Sequence, residues 1–443
     1  MAAQRPRETF VQLRKEVINR ITVAGFKSIV QEQSIEIRPL TILAGANSSG
    51  KSSIMQPILL LKQTLEAPYD PGALLLNGPN VRYTSVEQLL SRTSADEIKD
   101  MFCVGVEIAV GAGVKTCFKR AKNQGFDVEE TIYNPEKNKY RLYRNMSRSA
   151  IRSILGKVNT RLSLDATTLA NTATVDRNRC FLRLYVKLED GDISIPVPLV
   201  RNEGYLQESL QEVIHLPGLR GNPERTYPVT AVGSTFPGTF ENYAASVILH
   251  WQQTGNTDAL RRLNDDLKRL RLTGKVVARP LGDTQVELLV NRFMKDNAED
   301  MVSIADVGFG VSQTLPVVVA LHAAKPGQLI YIEQPEIHLH PRAQSAMAEV
   351  LADTALHGKR IVIETHSDLL LLGIQALIAE GKLPKDLVKL HWFEQLANGS
   401  THISSADLDE TGAYGDWPED FHTVLLNSQR RYVDAAEARL LGE

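Results

Sequence analysis

The chain has little cysteine, no excess of either charge and no apolar run long enough for a bilayer, and each shortage removes a class of protein. Its three cysteines, Cys103, Cys117 and Cys180, lie far apart without metal-ligand spacing. So odd and sparse a set fits a reduced cytosol better than a disulfide framework. A formal net charge of −2 over 443 residues announces no nucleic-acid binding by the chain as a whole. The longest apolar stretches, LPVVVALHAA and LLLLGIQALIA, suit buried helices and are too short to span a membrane. The opening MAAQRPRETFVQLRKEV lacks the apolar core of a signal peptide, so the expectation is a soluble cytoplasmic protein with no membrane partner. Repeats, heptad arrays and low-complexity tracts are missing too. What remains, 43% hydrophobic and 23% charged residues, is ordinary for a globular chain of two or three domains, or one large head with insertions.

Short β-like runs, INRITVAGF, QSIEIR and LTILAG, precede KSSIMQPILLLKQTLE, which reads as a helix kinked or shifted at Pro57. Between about 100 and 215 the regularity weakens. Within 115–161, twelve cations (Lys115, Lys119, Arg120, Lys122, Lys137, Lys139, Arg141, Arg144, Arg148, Arg152, Lys157, Arg161) face four acids, Asp127, Glu129, Glu130 and Glu136. This is an inserted basic subdomain, equally suited to DNA, to an acidic partner or to plain solvation. Helices near 240–253 and 257–272 and a hairpin at KVVARPLGDTQVELLV follow. Then SQTLPVVVALHAA, QLIYIE, HPRAQSAMAEVLADTA and KRIVIET alternate helix and strand, which predicts a parallel sheet covered by helices. A last hairpin, VKLHWFEQL to STHIS, turns at Asn398–Gly399.

GANSSGKS, Gly45 to Ser52, matches the phosphate-loop pattern and sits between a strand and a helix, as that pattern requires. Its glycines let N–H groups turn toward phosphate oxygens, and the helix start adds positive potential. In this role Lys51 would bridge the β- and γ-phosphates and Ser52 would ligate Mg²⁺. Three more stretches bear on the chemistry. GFGVSQ (308–313) precedes a helix that Ser312 would cap, IYIEQPEIHLHP delivers Glu333, Gln334 and Glu336 at a strand end, and IVIETHSD ends a strand before His366.

In this order the motifs resemble the ABC-type ATPase head, and more narrowly the OLD/RecF-like branch of AAA-type ATPases found in bacterial defence and repair. ITVAGFKSI, GANSSGKSS, DVGFGVSQTLPVV, IEQPEIHLHP, IETHSD, HLPGLRGNPERTY and GAYGDWPEDF carry the resemblance, over roughly 17–90 and 215–425. It implies an α/β fold, an ABC-type P-loop head with a mixed sheet under helices. The lobes are 1–100 and 216–443, and 101–215 is the basic insertion. It also implies ATP and Mg²⁺, with Gly45, Asn47, Ser48, Ser49, Gly50, Lys51, Ser52 and Ser53 on nucleotide and Ser52 and Glu333 on the metal. Ser312 acts from a second protomer, so a homodimer or higher oligomer is implied, and His366 is the switch histidine at the γ-phosphate.

The residue after the Mg²⁺-side acid is here Gln334, which orients water but accepts no proton at neutral pH. Either hydrolysis is slow and glutamine-positioned, with Glu336 in support, or Glu336 is the base; the first is preferred. Arg220 and Arg225 would be trans-acting arginines or, by preference, structural partners of Glu224. Asp407 and Asp409 suit a turn better than a nuclease metal pair, because too little chain follows for a fused nuclease domain. The implied function is an ATPase that senses or scaffolds in anti-phage defence, with DNA as a candidate partner, and controls a separate effector nuclease. The rival is a RecF/SMC-like repair ATPase.

Overall fold

The computed structural model describes residues 17–92, 98–108, 111–122, 125–133, 139–158, 171–187, 194–200, 203–292 and 300–415, with 430, 431, 433, 434 and 437. Glu136, Lys137 and Arg161 of the basic stretch, and 416–421 of GAYGDWPEDF, lie outside these residues.

Strands β1 (Ile18–Ala24), β2 (Gln33–Glu36) and β3 (Leu40–Gly45) lead to helix α1 (Lys51–Glu66). Next come β4 (Met101–Ile108), β5 (Ala112–Arg120), β6 (Phe126–Tyr133), β7 (Tyr140–Tyr143) and α2 (Arg148–Lys157). Strands β8 (Ala173–Asn178), β9 (Phe181–Lys187) and β10 (Ser194–Val197) precede α3 (Glu203–Gln211), β11 (Ile214–Leu216) and β12 (Tyr227–Pro228). Helices α4 (Ala244–Gln253) and α5 (Thr257–Arg269) are followed by β13 (Val276–Leu281), β14 (Gln285–Asn291) and β15 (Met301–Ser303). The rest alternates: α6 (Phe309–Ala323), β16 (Leu329–Glu333), α7 (Pro341–Leu356), β17 (Arg360–Glu364), α8 (Asp368–Ala379), then the hairpin β18 (Val388–Gln395) and β19 (Thr401–Ala406).

The fold is mixed α/β. Its central sheet runs β11-β16-β17-β3-β18-β19, parallel except for the last pair. Strands buried on both faces read as continuous apolar runs, and here the two faces feed two cores. Leu43, Tyr331, Val362 and Phe393 share one core with α1 and the antiparallel strands. Ile42, Ile330, Ile332, Ile361 and Ile363 share the other with α4 to α8. Counting on by two, Glu333 and Glu364 fall on the α1 side, where the phosphate loop ends. Helix α1 continues through Pro57 without a break in the helix. Pro57 forfeits one backbone bond, and the burial of Ile54, Met55, Ile58 and Leu59 outweighs it.

Residues 101–143 are regular, where weakened regularity was expected. Strands β4 to β7 extend the sheet begun by β1 and β2, in the order β2-β1-β4-β5-β6-β7, with β4 antiparallel to β1. Much of the positive charge there is paired. Lys115 meets Glu32, Lys119 meets Asp100, Arg120 meets Glu87, Arg141 meets Glu130 and Arg144 meets Asp127. Arg148 and Arg152, exposed on α2, carry no ion pair among the described residues.

Cys103 and Cys117 are directly opposite in β4 and β5 and joined by a disulfide, which corrects the expectation of a reduced set. Hairpin pairing brings together two positions whose sequence spacing carried no signal. Cys180 is a buried free thiol. No helix among the described residues is long and apolar enough to cross a membrane.

Candidate functional site

The loop between β3 and α1 is held from outside. Gly45 (φ 143°) and Gly50 (φ 96°) adopt backbone angles that side chains resist. A Cβ on Gly45 would lie 2.3 Å from Phe393 O, and one on Gly50 would lie 2.2 Å from Thr401 Oγ1. Thr401 also donates to Ser49 O at 2.8 Å, so the β18–β19 hairpin shapes the loop. Asn47 and Ser48 are exposed at its crown, Ser48 with φ 61°, while Ser49 is buried beneath. Lys51 Nζ donates to Gly45 O (3.0 Å) and Ala46 O (2.8 Å). Burial pushes its pKa down to about 8, against the pull of Glu364 and Glu336.

A cavity of about 450 Å³ opens here. Ser48, Gly50, Lys51, Ser52 and Ser53 line it from the loop and first turn, and Glu333, Gln334, Glu364 and His366 line it from the strand ends. Lys27 closes one side, its Nζ 2.7 Å from Gln56 Oε1 and 4.8 Å from the Tyr83 ring centre. Three cores of the motif set thus meet at one place.

The acids differ in their surroundings. Ser52 Oγ donates to Glu364 Oε2 at 2.8 Å, and Tyr331 hydroxyl donates to Glu364 Oε1. Burial, then the neighbouring Glu333, pushes the Glu364 carboxyl up to about 7. Glu333 Oε1 lies 3.3 Å from His215 Nε2, and its Oε2 accepts from Gly218 N at 3.1 Å. Burial works to raise the Glu333 pKa, but His215, foremost, and the Gly218 N–H outweigh it and leave the group below its ordinary value. Asn80 Nδ2 lies 3.2 Å from His215 Nδ1 and donates to Gly238 O at 3.0 Å. An amide nitrogen only donates, so Nδ1 accepts and Nε2 carries the proton that reaches Glu333.

Gln334 sits in the left-handed region (φ 48°), a strained place for a residue with a side chain. Its N–H donates to Glu364 O (2.9 Å), and its carbonyl accepts from Ile337 N (3.2 Å) and Arg220 Nη2 (3.3 Å). Arg220 is buried and also donates to Glu333 O (2.6 Å) and Gln313 O (3.3 Å). It therefore ties α6 to the acid loop by backbone contacts, with no bond to Glu224. Arg225 pairs instead with Asp306, at 2.7 and 3.1 Å. Glu336 is buried and is not among the residues that line the cavity. Its Oε1 accepts from Thr365 Oγ1 (2.8 Å) and His366 N (3.0 Å), and burial raises its pKa. The His366 pKa is lowered by burial and by Lys51.

Ser312 does not line this cavity, and it is not the helix cap. Helix α6 begins earlier, with Gly308 as its cap, and Ser312 Oγ donates to Phe309 O at 3.2 Å within the first turn. Asp407 meets Lys389 and Arg38, and Asp409 closes a turn onto Thr411 and Ala413. Sequence reasoning passed over Glu364, His215, Asn80 and Lys27. Glu364 and Lys27 stood inside quoted motifs (IETHSD, AGFKS), whereas Asn80 carried no signal.

A second cavity, about 400 Å³, lies between α5, α6 and α7, where His322 meets Asp266 and Arg269 meets Asp353. Lys359, also in its lining, donates to the Leu321 and His322 carbonyls. Among the described residues no cluster of three His, Cys, Asp or Glu would cage a metal. The phosphate cavity offers a hydroxyl and two neighbouring carboxylates, a donor set that fits Mg²⁺, which takes few protein ligands and relies on phosphate oxygens and water.

Residues 191–372 match the family described as AAA domain, putative AbiEii toxin, Type IV TA system. That span holds the α6, β16 and β17 motifs and begins after the phosphate loop. No curated protein matches the chain. Solved structures similar to it include an SMC head bound to the C-winged helix domain of ScpA, at 13% identity and TM-score 0.48, covering 89% of this chain and 98% of that one. Another is the SMC head domain from Thermotoga maritima, at 9% identity and TM-score 0.41, covering 88% and 100%. A third is the Smc head with an extended coiled coil bound to the C-terminal domain of ScpA, from Pyrococcus furiosus, at 13% identity and TM-score 0.45, covering 88% and 96%. Superpositions of that depth add nothing to the geometry of the site.

Proposed function

We propose that this protein is an ABC-type ATPase that binds ATP at the Lys51 cavity, hydrolyses it slowly and uses the bound state as a switch. One observation carries this reading: Lys51, Ser52, Gln334, Glu364 and His366 line a single cavity beside a phosphate-loop turn. Lys51 and the first-turn N–H groups of α1 bind the β- and γ-phosphates, and His366 meets the γ-phosphate. Ser52, with Glu333 and Glu364, would hold Mg²⁺, which when bound neutralises charge developing on the phosphate oxygens. The Gln334 backbone is fixed on three sides, so its amide can orient water without taking the proton. Phosphoryl transfer tolerates this because positioning carries much of its catalysis. Glu336 braces the His366 loop.

Ser312 lies outside the cavity, which agrees with a site completed by a second protomer. The ATP-bound dimer then signals to a separate effector, for which an anti-phage nuclease is the reading the motif resemblance supports. Contact with DNA, if made, falls to Arg148 and Arg152 on α2, and their replacement by Glu should flatten the salt dependence of binding. The primary test is Lys51→Ala. ATP affinity should fall roughly 10- to 100-fold, since a hydrogen bond to a charged group is worth about 1.5–3 kcal/mol. Unchanged binding and turnover would remove the assignment.

A further inference from the structure

We propose that Glu364 is the carboxylate that accepts the Ser52 hydrogen bond and completes the divalent-cation site, the place that motif order gives to Glu333 alone. This rests on the ATP reading above and deepens it.

Strand order comes first. Strand β17 lies between β3 and β16, so the end of β17 is the phosphate loop's neighbour and Glu333 stands one strand further off. Strands in a sheet are about 4.8 Å apart, close to the reach of a carboxylate side chain. Glu333 and Glu364 are in register on these adjacent strands and on the same face.

A serine hydroxyl that ligates a cation presents its lone pairs to the metal and must direct its proton elsewhere. The acceptor already in place is Glu364 Oε2, 2.8 Å from Ser52 Oγ. The Tyr331 hydroxyl, itself fully buried, fixes the other oxygen and with it the plane of the carboxylate. Both oxygens of Glu333 are engaged as well, but by His215 Nε2 and Gly218 N, on the side away from Ser52. Two carboxylates side by side with Lys51 as their near cation leave negative charge that a divalent ion is suited to offset. Glu364 therefore holds the serine and the inner side of the ion, and Glu333 faces it across the gap.

The test uses the full-length chain with ATP or a non-hydrolysable analogue, reading nucleotide affinity in Mg²⁺ and in EDTA, and Mn²⁺ binding by electron paramagnetic resonance. Glu364→Gln keeps shape and the bond from Ser52. It should lose the cation-promoted gain in affinity on the order of 10-fold or more, with affinity in EDTA no lower than wild type, since a negative charge beside the phosphates is removed. Glu333→Gln should lose less. Glu364→Asp keeps the charge but withdraws it by one methylene, and should retain cation dependence while shifting the preference between Mg²⁺ and Mn²⁺. If Glu364→Gln keeps the wild-type Mn²⁺ affinity and cation dependence while Glu333→Gln loses both, the assignment to Glu364 is overturned and the ATP reading stands. A wild-type chain that binds no nucleotide in either condition overturns the ATP reading and this inference together.

Discussion

His215 lies stacked on Tyr331, ring centres 5.4 Å apart and planes within 9°, and from there its Nε2 reaches Glu333 Oε1. The two rings are paired positions of parallel strands β11 and β16, so the sheet itself sets the distance. Asn80 holds the far nitrogen. Removing the histidine should therefore loosen Glu333 without touching the phosphate loop. His215→Ala is expected to lower ATP turnover roughly 10-fold or more, as loss of a partner behind a metal-side group does. Nucleotide affinity without cation should stay unchanged, and His215→Gln, which can still donate, should recover part of the rate. Equal loss in both variants, accompanied by lower melting temperature, would mean that His215 only packs.

Gln334 and Glu336 give opposite expectations. Gln334→Glu places an acid where water is oriented and should raise turnover, up to the 10²–10⁴-fold typical of base assistance. Glu336→Gln should change it little, because an amide oxygen still accepts from Thr365 and His366 N. Should Glu336→Gln instead stop hydrolysis with binding intact, Glu336 is the base after all. Steady-state phosphate release decides between them.

Much of this site was legible from residues close together in the chain. GANSSGKSS, IYIE and KRIVIE each carry their element in their own pattern, and loop, strands and covering helices fall where the pattern puts them. What escaped depends on distant residues meeting. Asn80 and His215 are 135 positions apart, and Ser52 and Glu364 are 312 apart. Lys62 of α1 is fully buried and bonded to Glu66, Gln211 O and Phe236 O, the last two far away in the chain. Strands β4 to β7 carry so many charges that their continuity with β1 was hidden until pairing placed acid opposite base.

If two protomers share each site, defects in different halves should complement. Lys51→Ala and Ser312→Arg chains, each inactive alone, should regain activity on mixing, with about one intact site per mixed dimer. Mixed oligomers that form and stay inactive would argue for a site complete within one chain. Native mass spectrometry alongside ATPase assay separates these outcomes.

His391 makes stability depend on acid. It is buried in β18, between Ser405 Oγ and Glu36 O, and burial pushes its pKa down to about 4. The unfolded chain titrates near 6.5, so between those values the unfolded state binds the extra proton. Stability should thus be full above about pH 6.5 and fall as pH drops toward 4. The loss is up to roughly 3 kcal/mol, at about 1.4 kcal/mol per pH unit. Urea melts across that range should show the slope, and His391→Gln should flatten it.

The hold of Thr401 on the phosphate loop has a consequence for how the molecule is made. Strand β3 finds its neighbours only in β17 and β18, and Ser49 O waits for a hydroxyl 352 positions later. During synthesis the GANSSGKS segment emerges before the strands and the hydroxyl that brace it. The loop therefore takes its shape only once β17, β18 and Thr401 are in place beside it. A chain without the last hairpin would lose the contacts of Phe393 and Thr401 that hold Gly45, Ser49 and Gly50 in their turn.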